Sequence, residues 1–334
     1  MKAFTLANPT SLEQALEILA ARNKRGSRER AQLLAGGQDL LTEMKEHLAE
    51  PEVLVNLKGI AGLDRIEVDA SGALAIGALA TLAALEEHAA VREKFPVLAE
   101  AARSIASPQI RSFGTVGGNL CQRPRCWYYR SEHAKCIKKG GSECFSYSGL
   151  NKYNAILGGG PSYIVHPSDL APALVALDAE VRVRGPAGER ALPLERFFTL
   201  PAEGRVVREN VLADDEILVS VKVPALPAGT RSTYLKFKER GSFDFALASV
   251  ALALTFQGAE VSRARLVLGG VAPIPWRSPD AEKALVGRAM DESSWKAAAE
   301  AALLEADPLE HNAYKVPLAK GLIRRALQAL VRAG

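Results

Sequence analysis

Cys121, Cys126, Cys136 and Cys144 are the only cysteines in the chain, and they crowd into one short stretch with the order Cys-x4-Cys-x9-Cys-x7-Cys. Thiolates at such separations are soft ligands for zinc or for an iron–sulfur cluster. Zinc sites usually present C-x2-C knuckles, which are absent here, as is the spacing of plant-type ferredoxins. The irregular, looping pattern suits a [4Fe–4S] cluster better than zinc, and either suits it better than free thiols. Directly in front stands Thr115-Val116-Gly117-Gly118-Asn119-Leu120. Glycines carry no Cβ, so backbone N–H groups there can come close to a ligand. A glycine loop beside clustered thiols describes a redox protein that holds two cofactors next to each other.

A second glycine pair lies in Ala35-Gly36-Gly37-Gln38-Asp39-Leu40-Leu41, behind the short apolar run Gln32-Leu33-Leu34. A strand entering a Gly-Gly turn and then a helical stretch is a good seat for a pyrophosphate. It is neither a Walker A loop nor a G-x-G-x-x-G fingerprint. Downstream comes His166-Pro167-Ser168-Asp169-Leu170. His166 reads as a packing residue of a loop, and His133 as solvent exposed. Asp169 can cap the helix that Leu170 opens, bond a sugar or ribityl hydroxyl, or do both. The cations between 123 and 130 and between 135 and 139 either stabilise thiolates or are solvated loop charges. The chain shows no Ser-His-Asp set, no H-E-x-x-H and no compelling pair of carboxylates, so no catalytic residue is assigned.

These residues need a large scaffold. The chain has 334 residues, 48% apolar and 24% charged, enough for two domains or three with substantial cores. A net charge of +4, with the basic residues scattered, argues against a nucleic-acid binder. A chain this long does not need a disulfide framework. The amino-terminal residues lack a signal-peptide core. The longest apolar run, 247–256, is about half of a membrane span. The expectation is a soluble, cytoplasmic chain without a membrane span.

Apolar spacing predicts a helix from Leu12, capped by Ser11 in a box with Gln14. Strands follow at 52–57, 63–68 and 74–78. Thr81 caps a helix to His88, and a helical stretch over 91–105 is broken at Pro96. A short buried helix or strand covers 170–179, and a hairpin turns at Gly185-Pro186-Ala187-Gly188. An alternating strand over 216–223 ends at Pro224-Ala225-Leu226-Pro227-Ala228-Gly229, the expected domain boundary. Three antiparallel strands (232–238, 245–256, 261–271) and helices over 292–306 and 318–333 complete the chain.

The two glycine segments, His166-Pro167-Ser168-Asp169-Leu170-Ala171-Pro172, the stretch after Arg208-Glu209-Asn210, residues 237–246 and Asn312-Ala313-Tyr314-Lys315 together resemble the FAD-binding medium subunit of molybdenum hydroxylases. The resemblance covers nearly the whole chain. It implies an α+β fold: an FAD-binding domain of the vanillyl-alcohol-oxidase (PCMH) type in two subdomains, then a small C-terminal domain with a three-stranded antiparallel sheet and helices. The division would be 1–226, with a cysteine-bearing insert at about 121–160, and 230–334. By the same resemblance Leu34, Ala35, Gly36, Gly37, Gln38, Asp39 and Leu40 wrap the FAD pyrophosphate. Thr115, Gly117, Gly118 and Asn119 form the second phosphate and flavin loop, Asp169 binds a ribityl or ribose hydroxyl, and Lys238 approaches the isoalloxazine.

The insert resembles the branch that carries a [4Fe–4S] cluster on the flavin subunit, with Cys121, Cys126, Cys136 and Cys144 as ligands. That branch includes 4-hydroxybenzoyl-CoA reductase and certain bacterial aldehyde oxidoreductases; Gln122-Arg123-Pro124-Arg125-Cys126 looks closer to the latter. One departure is that relatives often carry a cysteine where this chain has Pro161-Ser162-Tyr163. The implied role is electron transfer, with a molybdenum-cofactor large subunit and a [2Fe–2S] small subunit as partners. A standalone flavin oxidase or a zinc-stapled flavin module are the rival readings.

Overall fold

Three short strands open the chain: β1 (Thr5–Ala7), β2 (Ala31–Leu34) and β3 (Val53–Asn56) form a parallel sheet in the order β1-β3-β2. The computed structural model describes residues 1–23, 30–204 and 206–332. Helix Leu12–Arg22 packs Ala15, Leu16 and Leu19 on Val53 and Val55, as its spacing predicts. Ser11 accepts from the Gln14 amide, but the Gln14 side chain accepts from Thr10 instead of Ser11, so the expected box closes one residue early.

A second, antiparallel sheet joins β4 (Ile66–Val68), β5 (Leu74–Gly77), β6 (Glu180–Gly185), β7 (Gly188–Pro193) and β8 (Ile217–Val223) in the order β4-β5-β8-β6-β7. Short helices pack on it. Leu82–Glu87 is capped by the Thr81 hydroxyl, and Pro96 begins the separate helix Pro96–Ser104 after Ala89–Lys94 has ended. Proline lacks an N–H, which the first turn does not need, so the break predicted at 96 becomes a helix start.

The third sheet has four strands where three were expected: β9 (Thr230–Phe237), β10 (Ala248–Gln257), β11 (Glu260–Gly269) and β12 (Trp276–Arg277), in the order β12-β11-β10-β9. The two-residue β12 is too short to carry an alternation signal. Helix Pro279–Leu285 was also not expected, whereas Glu292–Ala302 and Lys315–Arg332 match two predicted helices. The expected end of the last one, at 333, lies outside the described residues.

β10 explains the long apolar run. Its Val250, Leu252 and Leu254 face Ile323 and Leu327 of the last helix, while Ala251 and Ala253 join the core of the second sheet with Leu98 and Leu174. A strand covered on both faces reads as continuous hydrophobicity instead of alternation. The small residues lie on the face where helices Pro96–Ser104 and Leu170–Ala176 come near. Among the described residues no helix is long and apolar enough to cross a membrane.

Candidate functional site

Gly36 brings the two glycine loops together. A Cβ built on it would lie 2.8 Å from the carbonyl carbon of Phe113 and nearer still to its oxygen. Only glycine therefore lets residues 35–40 lie against the turn that leads into Thr115. From the outside, Lys58 Nζ donates to the Ala35 carbonyl at 3.1 Å. The second loop is the short helix Val116–Cys121, capped by Thr115 Oγ1, which accepts from the Gly118 amide at 3.1 Å. Gly117 is spent on packing: its amide donates to the Ala78 carbonyl at 2.8 Å, and a Cβ there would meet Ala78 Cβ at 2.9 Å. The space of its missing Cβ is taken by Ala78, the residue that follows β5.

Between the loops opens a cavity of about 710 Å³, a size typical of small-molecule and cofactor sites. Ala35, Gly36, Gly37, Gln38, Asp39 and Leu40 line one wall; Thr115, Gly118 and Asn119 line another. Leu34 instead packs near Met44 and Leu54. Helix Leu40–Lys45 is only six residues long, so the cradle is the backbone of the two loops more than a helix dipole. The cavity is of a size to take a dinucleotide, and the Gly36 contact holds together the two loops that line it.

The third wall comes from Pro167 and Asp169. Ser168, not Asp169, caps helix Leu170–Ala176: its hydroxyl accepts from the Ala171 amide at 2.9 Å and donates to Asn119 Oδ1 at 2.5 Å. Asp169 is thereby released from capping. Its carboxylate accepts from Tyr234 Oη and from Lys236 Nζ, each at 2.7 Å, and Lys236 also donates to the Ser104 carbonyl at 3.1 Å. Lys236 lines the cavity; Lys238 does not, and its ammonium bonds the Ser242 carbonyl in its own loop. The alternation of β9 could have found this, since Tyr234 and Lys236 share one face and 238 lies beyond the strand end. Burial, helped by Asp169, holds the Tyr234 phenol well above its ordinary range. His166 is packed edge-on against Phe198 at 4.6 Å, and burial pulls its imidazole down to about 4.

Four cations of the insert, Arg123, Arg125, Arg130 and Lys138, are paired with carboxylates, whereas Lys135 is exposed and Lys139 bonds the Ser131 carbonyl. Arg125 and Arg130 reach Asp39 Oδ1 at 3.0 and 2.8 Å, and the Arg123 amide donates to Asp39 Oδ2 at 2.6 Å. Arg123 and Lys138 then meet the buried Glu209 at 2.9 and 2.7 Å. Burial pulls Lys138 down while Glu209 pulls it back up; Arg123, against the same burial, is held above the ordinary arginine value by Glu209. Tyr129 donates to Glu43 at 2.7 Å, and burial raises that carboxyl above its ordinary value. Asp39 therefore anchors the insert, and the insert forms part of the cavity rim through Cys121, Gln122, Arg123 and Arg125.

The four cysteines occupy different settings. Cys121 ends its helix at the cavity wall. Cys136 is buried within its own tight turn, where its amide donates to the Ala134 carbonyl and its carbonyl accepts from Lys139 and Gly141. Cys126 and Cys144 are near enough to interact; burial pushes the Cys126 thiol up, with a smaller contribution from Cys144. Asn154 Nδ2 donates to Cys126 Sγ at 3.8 Å, and Cys144 Sγ lies 3.0 Å from Ser146 Oγ. Among the described residues no three His, Cys, Asp or Glu side chains converge as a single ion requires. A cubane makes a different demand, because each of its thiolates binds a separate iron and they surround a volume instead of a point. The donor set, four sulfurs, has the chemistry of an iron–sulfur cluster or of a zinc site, and Lys138 stands near Cys136.

Residues 2–226 match the family model described as FAD binding domain in molybdopterin dehydrogenase, and 232–330 match the CO dehydrogenase flavoprotein C-terminal domain. The chain is 36% identical over 330 residues to the aldehyde oxidoreductase FAD-binding subunit PaoB of Escherichia coli (strain K12), covering 98% of each. It is 31% identical to the carbon monoxide dehydrogenase medium chain of Hydrogenophaga pseudoflava, over 90% of this chain and 88% of that one. A solved carbon monoxide dehydrogenase of Hydrogenophaga pseudoflava, lacking the Mo-pyranopterin moiety of its molybdenum cofactor, superimposes with a TM-score of 0.78 at 30% identity, covering 99% of this chain and 98% of that one. Quinoline 2-oxidoreductase of Pseudomonas putida 86 gives 0.76 at 25% identity, covering 100% and 99%. With its glycine-loop cavity and its α+β architecture, the chain belongs to the FAD-binding flavoprotein subunits of the molybdenum hydroxylases.

Proposed function

We propose that this chain is the electron-transfer subunit of a molybdenum-containing aldehyde oxidoreductase, holding FAD in the cavity and a [4Fe–4S] cluster on the insert. One observation carries the reading: the cysteine insert is clamped by Asp39 and Glu209 onto the rim of the same cavity that the two glycine loops enclose. Two redox groups held there would be neighbours. When bound, FAD supplies both one- and two-electron chemistry, so it can link a single-electron relay to a hydride or oxygen acceptor.

The chain's own part is placement. Residues 35–40 and 115–119 receive the phosphates, and Asp169 and Lys236 offer a fixed carboxylate and ammonium on the opposite wall. Cys121, Cys126, Cys136 and Cys144 supply the thiolates. Among the described residues of the cavity wall, Asp169 and Lys236 are spent on each other, which favours a role inside a complex over a standalone oxidase. A molybdenum-cofactor large subunit and a [2Fe–2S] small subunit would oxidise the aldehyde and pass electrons inward. The similarity to the aldehyde oxidoreductase subunit supports the aldehyde as substrate. The reading keeps the division at about 226–230 and a cytoplasmic location.

The test is anaerobic purification of the chain, alone and with its partners, followed by absorption spectra and analysis for flavin, iron, zinc and molybdenum. The chain alone should carry FAD and about four irons and turn over no aldehyde. Aldehyde oxidation by the isolated, molybdenum-free chain would overturn the electron-transfer reading. Stoichiometric zinc without iron would leave a flavin subunit with a structural staple.

A further inference from the structure

Lys315 has no exposed surface, and among the described residues no carboxylate accompanies it. Its Nζ instead donates to three backbone carbonyls: Tyr153 at 2.8 Å, Asn154 at 3.1 Å and Gly270 at 2.8 Å. Three acceptors match the three protons of an ammonium; a neutral amine would turn a lone pair toward one of those oxygens. Burial alone pulls the group down to about 7, and the carbonyls oppose that pull.

The neighbours of Lys315 grip the same segment. Asn312 Nδ2 donates to the Asn154 and Ala155 carbonyls at 3.2 and 3.1 Å, Tyr314 Oη to the Lys152 carbonyl at 2.9 Å, and the His311 amide to Asn151 Oδ1 at 2.8 Å. The segment so held follows the cysteines directly, and the Asn154 side chain turns back to them. Its Nδ2 spans Cys126 Sγ at 3.8 Å and the Tyr163 carbonyl at 3.0 Å.

We infer that Lys315 and Asn154 are positioning residues for the cysteine centre: Lys315 fixes the Asn154 backbone and places a buried positive charge behind it, and Asn154 donates a hydrogen bond to the Cys126 sulfur. Donors and positive charge near a thiolate stabilise the more negative state, so both residues raise the reduction potential of what the thiolates hold. The inference rests on the cluster reading above.

The experiment is a spectroscopic redox titration of the anaerobic full chain, with iron and flavin counted in each sample. Lys315→Gln keeps amide donors for the carbonyls without the charge, and Asn154→Ala removes the bond to sulfur. Each should lower the cluster potential by about 59 mV or more, a tenfold change in a one-electron equilibrium, at wild-type iron and flavin content. Lys320→Gln, on the same helix and paired with the exposed Glu300, should leave it unchanged. If Lys315→Gln loses its iron, Asn154→Ala decides, since it leaves every backbone contact of Lys315 in place. Iron present with unmoved potentials in both variants overturns the inference alone. A wild-type chain without iron overturns the cluster reading and the inference with it.

Discussion

Gly36→Ala is the most direct test of the cradle. The added methyl would stand 2.8 Å from the Phe113 carbonyl carbon and 3.3 Å from Gly114 Cα. Non-bonded carbons prefer about 3.5–4.0 Å, and the Phe113 oxygen is nearer still, so the two loops must part as whole backbone segments by at least roughly 1 Å. In the empty protein the loops can relax outward, and the stability should change by less than about 1 kcal/mol. Binding FAD then requires them to close again, and overpacking of this kind costs about 1–3 kcal/mol. That converts to an affinity roughly 5- to 150-fold weaker. Titration of the apo-protein with FAD, followed by flavin fluorescence, reads the affinity; urea unfolding of the apo-protein reads the stability. Gly321→Ala, on the last helix with nothing within 4 Å of its Cβ position, is the control and should leave affinity alone. Unchanged affinity in Gly36→Ala, or a stability loss of the size expected for binding, would refute the close approach as the basis of the site.

Glu209→Gln should destabilise the chain by about 3 kcal/mol, since it leaves the buried Lys138 without its counter-charge and takes one from the half-buried Arg123. Urea unfolding should show the loss, the double variant with Lys138→Met should recover part of it, and a loss under about 0.5 kcal/mol would argue against the clamp. For His166 the sign follows from its depressed value of about 4 against 6.5. On acidification the unfolded chain takes up the proton first, so stability is lost as pH falls from about 6.5 toward 4, by about 3 kcal/mol when complete. His166→Gln should flatten that part of the pH profile of the urea midpoint; parallel profiles would remove His166 from the account.

Local chemistry was the legible part of the chain. Thr81 as a cap, Pro96 as a break and the hairpin around Gly185 and Gly188 depend on residues within a few positions of each other, and the sequence displays them directly. The elements that went unseen, among them β1, β12 and helices Pro108–Phe113, Trp127–Arg130 and Pro279–Leu285, are too short for a period to show. The candidate site was legible as segments but not always as side chains. Gly117 stands in the predicted loop, and the space of its missing Cβ is taken by Ala78, a contact the sequence does not display. Lys238 was two residues from Lys236, and only the end of β9 distinguishes them. Asp39 looked like part of the pyrophosphate wrap, but its carboxylate holds arginines more than 80 residues away, a pairing that no local pattern encodes.

That pairing links the two halves of the function. Asp39 belongs to the first glycine loop and binds the insert; Asn119 belongs to the second and is latched by Ser168 beside Asp169. Glu209, which precedes β8, holds the insert from another side through Lys138. Lys315 and Asn312 of the C-terminal part hold its far end. A loop of about forty residues with little helix and no strand would sample many positions if left alone. Here it is fixed at three places, and one of them, the Lys138–Glu209 pair, is a buried charge contact that is costly to break. In the proposed role, electron transfer between two groups depends on their separation being held constant. Charge pairs and carbonyl-bound ammonium groups such as Lys138 and Lys315 hold the insert where no apolar core reaches.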